Sequence, residues 1–139
     1  MAVISGLGDY FAVDDSGGTL RDISDFVTAV QINTSQGLQD ITGISKSAIQ
    51  RQALLGDGEF VISGLMATAS NEAHDVFKSL ANARTATYAF NGNTSGNERL
   101  SMEVLLENYN PQRQQDGSIV FQSTARLQSG TVPTWDTVP

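Results

Sequence analysis

Alternation with a period of two runs through most of this chain, and it restricts the fold to a sheet with one buried face. Leu100, Met102, Val104 and Leu106 alternate with Ser101, Glu103, Leu105 and Glu107. Ile119, Phe121, Ala125 and Leu127 alternate with Val120, Gln122, Thr124 and Arg126. Successive side chains of a strand point to opposite faces, so each pattern reads as a half-buried strand. Phe26–Asn33, Phe60–Ala67, Ala86–Phe90 and Tyr10–Val13 repeat it, which gives about six strands. Ser16-Gly17-Gly18, Asp57-Gly58, Asn91-Gly92-Asn93 and Asp116-Gly117 supply turns, and the last joins two long strands into a hairpin. The expected fold is mainly β, an antiparallel sandwich or half-barrel.

One segment has a helical period. In SNEAHDVFKSLAN, Ala73, Val76, Phe77, Leu80 and Ala81 form an apolar stripe, Ser70 is placed to cap the start, and Lys78 lies toward the negative end. This helix is expected to flank the sheet, with His74 on its solvent side.

Residues 34–58 fit neither period. The segment is too long for a plain connection in a compact domain, yet it carries Leu38, Ile41, Ile44, Ile49, Leu54 and Leu55. Two readings stand. One is a short helix from Lys46 to Leu55, capped by Ser45 and stopped by Gly56. The other is a projecting arm or long hairpin whose apolar residues are covered by a neighbouring copy. The C-terminal stretch from about 130 to 139 holds Trp135, the only tryptophan, and two of the three prolines. It reads as an extended tail, with Trp135 packing either on its own chain or on a neighbour.

At 139 residues the chain suits one domain, 1–139, with enough length for a core. It has no cysteine and a single histidine, which removes thiolate chemistry and multi-histidine metal sites. The start, MAVISGLGDYF, has no basic region and no apolar run of signal-peptide length, and no stretch of 18 apolar residues occurs, so synthesis in a cytoplasm without a membrane span is expected. The net charge of −7 disfavours a grip on nucleic-acid phosphates.

The loop DDSGGT invites a ligand reading that its details refuse. A phosphate loop needs a lysine and a helix after the glycines, whereas Thr19-Leu20-Arg21 and a strand follow. As a calcium loop it has Thr19 where glycine is required. A turn at Ser16–Gly18 tying an early strand to Phe26–Ile32 is the expectation. Glu103 and Glu107 share one strand face, where a polar surface row is the expected role rather than a glycosidase pair. No serine–histidine–acid set has a recognisable spacing. Neither catalysis nor a cofactor or metal is expected.

The ordered series of elements resembles the major tail, or tail tube, proteins of long-tailed bacteriophages, in their actinobacterial-phage branch. FAVDDSGGTLRDISDFVTAVQI is similar to the N-terminal hairpin of that family. GDGEFVISGLM is similar to the strand after its long loop, and NEAHDVFKSLANARTATYAF to its helix and following strand. NERLSMEVLLENYN and DGSIVFQSTARLQSGTV are similar to its closing hairpin. The resemblance covers about Asp9 to Val132.

The resemblance implies a tail tube fold, hexameric rings stacked into a tube, and double-stranded DNA passing through the lumen without specific binding. It implies a virion tail location after synthesis in a host bacterial cytoplasm, and tape measure, tail tip and tail terminator proteins as partners. Tube subunits of gene-transfer particles and of contractile or type VI-like systems share that fold. A carbohydrate-binding β-sandwich is the alternative from another class. On the tube reading, Gln36, Gly37, Leu38, Ile41, Ile44, Ile49, Leu54 and Trp135 are candidate contacts between subunits or rings. Asp14, Asp15, Glu103 and Glu107 are candidate lumen charges.

Overall fold

The computed structural model describes residues 3–139. Met1 and Ala2, which open the stretch considered for a signal peptide and the expected domain, lie outside them. Eight strands and one helix follow one another as β1 (Tyr10–Asp14), β2 (Leu20–Asp22), β3 (Val27–Asp40), β4 (Arg51–Leu65), α1 (Ala73–Phe77), β5 (Arg84–Ala89), β6 (Glu98–Arg113), β7 (Ile119–Leu127) and β8 (Trp135–Thr137). The strands form one sheet in the order β2-β1-β5-β6-β7-β4-β3, and all pairings are antiparallel. Strand β8 continues the β6 edge that β7 leaves: β7 pairs from Val104 onward, and β8 pairs Glu98–Leu100.

The topology forces the sheet to curl. Strands β2 and β3 stand at opposite ends of the order, yet only residues Ile23–Phe26 separate them. The five Cα steps from Asp22 to Val27 reach about 18 Å at most, so the two ends must lie close together. Backbone bonds fix the connection at both ends: Ile23 N–H donates to Phe11 O of β1 at 3.1 Å, and Leu65 N–H of β4 to Phe26 O at 2.7 Å, each continuing the pairing of its neighbouring strands. The result is a half-barrel. Phe11 of β1 meets Phe60 of β4 edge to face across it, with ring centroids 5.5 Å apart.

The alternation predicts the core well. Leu100, Met102, Val104 and Leu106 are buried, with Phe60, Ile62, Phe121 and Ala125. Glycine is required at Gly64, where a Cβ would lie 2.4 Å from Phe26 O and 2.7 Å from the Phe121 ring.

Three local expectations are corrected. The helix spans Ala73–Phe77 rather than the whole periodic stretch; Ser70 does not cap it, and the N-cap is Glu72. Asn71 takes a positive φ of 66°, so the chain is still turning just before the helix, and Leu80 beyond it is 41 % exposed. The turn at Ser16–Gly18 ties β1 to the short β2, because Asp14 pairs Leu20, and β3 joins the far edge instead. His74 is not on an open solvent face: its Nδ1 lies 3.0 Å from the Tyr109 hydroxyl, and Tyr109 stacks on Phe77.

Between 34 and 58 the hairpin reading holds and the short helix does not form. Strands β3 and β4 stay paired out to Asp40 and Arg51, around a tip of residues 41–50. No helix among the described residues is long and apolar enough to cross a membrane.

Candidate functional site

The β3–β4 hairpin leaves the barrel as a two-stranded ribbon. Every residue from 34 to 55 is exposed. Ile41, Ile44 and Ile49 lie in its tip, and all three are exposed. Gln36, Gly37 and Leu38 lie on β3, and Leu54 on β4. A register shift between Gln36 and Leu38 places Leu54 and Leu55 opposite Gly37. Such a bulge aims two successive side chains to one side, so both leucines share a face. Gly37 leaves them room, since a Cβ there would stand 3.2 Å from the Leu54 Cβ. Leu55 is 90 % exposed. An isolated two-stranded ribbon is marginal in water, and this one leaves leucine and isoleucine side chains uncovered.

At the base of the arm the C-terminal segment packs against it. Val132 lies over Gly56, and Pro133 over Gly58; a Cβ on either glycine would come within 3.0 Å of them. A groove of about 300 Å³ runs between Thr34, Ser35, Gln36 and Gly56 on one wall and Val132, Pro133 and Trp135 on the other. Trp135 packs on its own chain: its indole stacks on Phe90. Of the candidate contact residues, the structure thus brings Gln36 and Trp135 to one groove and places Ile41, Ile44 and Ile49 at the distant tip.

The outer face of the sheet is mostly polar, with Leu65 and Leu105 exposed among its charged and hydroxyl side chains. Its residues alternate with the core, and their hydrogen bonds run from strand to strand. Asp14 Oδ2 accepts from Thr85 N–H at 3.2 Å, and the Thr85 hydroxyl donates to Glu103 Oε1. Farther along, Arg126 donates to Glu107 at 2.7 Å and lies 3.1 Å from Glu59, which accepts from Asn33 at 2.9 Å. Glu107, above all, and Glu59 raise the Arg126 pKa. Asp14, Glu103 and Glu107 therefore share one face. Asp15 does not: it closes the β1–β2 turn, accepting from Gly17 and Thr19 N–H and from Arg21 at 3.0 Å. The Thr19 N–H above all, with Arg21, holds its carboxyl below the usual carboxylate range.

Sequence reasoning overlooked Glu59 and Arg126, although Glu59 is out of phase with Phe60 and Ile62 and so was bound to face outward. It also overlooked Arg84, for which no sequence signal exists. Arg84 is fully buried, and its guanidinium donates to the carbonyls of Asp14 at 3.3 Å and Ala81 at 3.4 Å and to those of Val76 and Ser79. It thereby caps the carboxyl end of α1, and burial lowers its pKa.

Among the described residues no group of three or more His, Asp or Glu is placed to hold a metal ion. A cavity of about 510 Å³ over β4, β6 and β7 is lined by Thr28, Ser63, Asn110, Gln112 and Gln122 among others, with no titratable side chain.

No protein-family model and no curated protein sequence matches the chain. Solved structures do. A chain in the tail of an empty gene transfer agent particle, refined helically with C6 symmetry, superposes with a TM-score of 0.73 at 12 % identity, covering 99 % of this chain and all (100 %) of that one. A chain in the virion of a native gene transfer agent particle does so with a TM-score of 0.73 at 9 % identity, covering 97 % and 100 %. Along nearly its whole length, then, this chain has the fold of a subunit found in a phage-like particle tail.

Proposed function

We propose that this chain is a structural tail protein that assembles into hexameric rings, stacked as a tube through which DNA is delivered. The arm carries this reading: a fold matching a particle-tail subunit over 99 % of the chain includes a ribbon exposed from 34 to 55. A monomer has no use for such a surface, whereas a repeated head-to-tail contact does.

The strand registers support that contact. The arm tip and the 127–135 connection lie at one end of the sheet. The β1–β2 turn and the Asp116-Gly117 turn lie at the other, because β4 runs antiparallel to β7 and β7 to β6. An arm leaving one end can reach the opposite end of the next copy. The long free edge of β3 supports lateral pairing between copies, which removes an exposed edge. The polar outer face suits a lumen, since carboxylates and hydroxyls offer phosphate little to hold. Phage tails and gene-transfer particles fit this reading equally, and tail tip, terminator and tape measure proteins are the partners it implies.

Negative-stain microscopy of the purified protein at rising concentration tests it. Rings or tubes with sixfold symmetry are expected. Monomers alone at high concentration, with tail-tip partners present, would overturn it.

A further inference from the structure

The outer sheet face carries Arg99 and Arg126 among its polar residues, and neither is free. Arg99 donates twice to Asp136, at 3.1 and 2.7 Å. Arg126 lies between two carboxylates from different strands, 2.7 Å from Glu107 on β6 and 3.1 Å from Glu59 on β4. The registers set this up: Glu59 pairs Arg126 directly, and Leu105 opposite Arg126 places Glu107 on the same face two residues on. The other cations are elsewhere. Lys46 and Arg51 lie on the arm, Arg113 at the end of β6, Arg21 in a pair with Asp15, Lys78 in a pair with Asp75, and Arg84 in the core.

We infer that Glu59 and Glu107 form a clamp that keeps Arg126 from binding DNA phosphate, so that the face is a latent phosphate-binding surface held shut by its own carboxylates. The inference rests on the reading of this face as the one that DNA passes. A free arginine there would bind phosphate bidentately. Each such contact releases counterions and contributes about 0.9 to the salt slope of binding. Repeated around rings and along a tube, one contact per copy would add up and resist movement of the duplex.

Exposed ion pairs contribute little to stability, and Arg126 is half exposed. The clamp does not depend on that stability. Both carboxylates stay well within the ~8 Å Debye length of physiological salt even when a pair opens. An approaching phosphate therefore meets a net negative cluster. Two carboxylates around one arginine exceed what charge balance needs, which fits a masking role better than a structural pair.

The test compares variants by their affinity for a linear double-stranded DNA, read by fluorescence anisotropy over a range of salt. E59Q/E107Q frees Arg126. D14N/E103Q removes the same charge from the same face and leaves the clamp intact. E59Q/E107Q/R126Q removes the arginine as well. Expected is at least tenfold tighter binding for E59Q/E107Q than for D14N/E103Q, a salt slope larger by about one per contact, and loss of the gain in the triple variant. Equal binding by the two double variants, or a gain that survives R126Q, overturns the clamp. R126Q alone provides a second measure that needs no double variant: weak binding by the parent chain should not change, and a fall would show Arg126 already available. Microscopy of the same samples separates the two readings. Tubes without the gain remove the clamp and keep the tube, whereas the gain without tubes keeps the clamp and removes the lumen reading.

Discussion

Trp135 lies flat on Phe90, with ring centroids 5.5 Å apart and planes 8° from parallel. The stack fastens β8 to the loop after β5, and β8 in turn completes the edge of β6. It also forms one wall of the groove at the base of the arm. Trp135→Ala should lower monomer stability by about 1–2 kcal/mol, read from urea unfolding. Assembly should fall further than that loss accounts for, because the groove loses a wall.

Replacing residues 37–55 by Asn-Gly should leave the monomer folded. Gln36 pairs Gly56, so a two-residue turn can close the shortened hairpin. Every residue from 37 to 55 is exposed, and removing them should change the unfolding free energy by about 0.5 kcal/mol or less. On the proposed tube reading, ring stacking should be lost, as scored by microscopy and sedimentation. A collapse of cooperative unfolding would show instead that the arm belongs to the core.

Arg84→Met keeps the apolar stem and removes the donors. The carbonyls of Val76, Ser79 and Ala81 then lose their partner at the end of α1. A loss of roughly 2–4 kcal/mol is expected from leaving buried acceptors unpaired, with hydrogen exchange rising first in residues 73–82.

Gly64→Ala forces a Cβ against Phe26 O and the Phe121 ring. Neither can retreat far, since Phe26 O accepts the Leu65 N–H at 2.7 Å where the β3–β4 pairing begins. A cost of about 3 kcal/mol or more is expected, with a lower melting temperature as the readout.

The Tyr88 hydroxyl donates to Asp9, and burial first, then that bond, pushes its pKa from 10.0 up to about 12. The native chain keeps a proton that the unfolded chain releases. Stability should therefore be intact below pH 10 and fall as pH rises from 10.0 through about 12. Tyr88→Phe should flatten that decline in part, because burial raises Tyr10 and Tyr109 as well.

The strands were legible wherever one face is buried and the other is wet: Leu100 to Glu107 states its register in its own alternation. The arm was ambiguous because neither face is buried within the chain and because the bulge at Leu54 and Leu55 breaks the period. The helix was overestimated since the stripe through Leu80 and Ala81 continues after the backbone has left the helix. Strand β8 was missed because a three-residue edge beside Pro133 carries no period at all. The outer-face carboxylates were partly legible: Glu103 and Glu107 alternate with core residues, but their meeting with Asp14, Glu59 and Arg126 depends on pairings between distant strands.

Strand order also sets the sequence of events as the chain folds. Strands β3 and β4 are neighbours in sequence, and hairpins close in ~1–10 μs. Strand β1 must instead find β5, with Phe11 opposite Tyr88, and such distant pairings bring all-β chains to ~ms–s. The ribbon with Leu54 and Leu55 is thus on display long before the barrel shuts. A newly made chain exposes apolar side chains before its barrel is complete, and local crowding decides whether it finishes folding alone or aggregates.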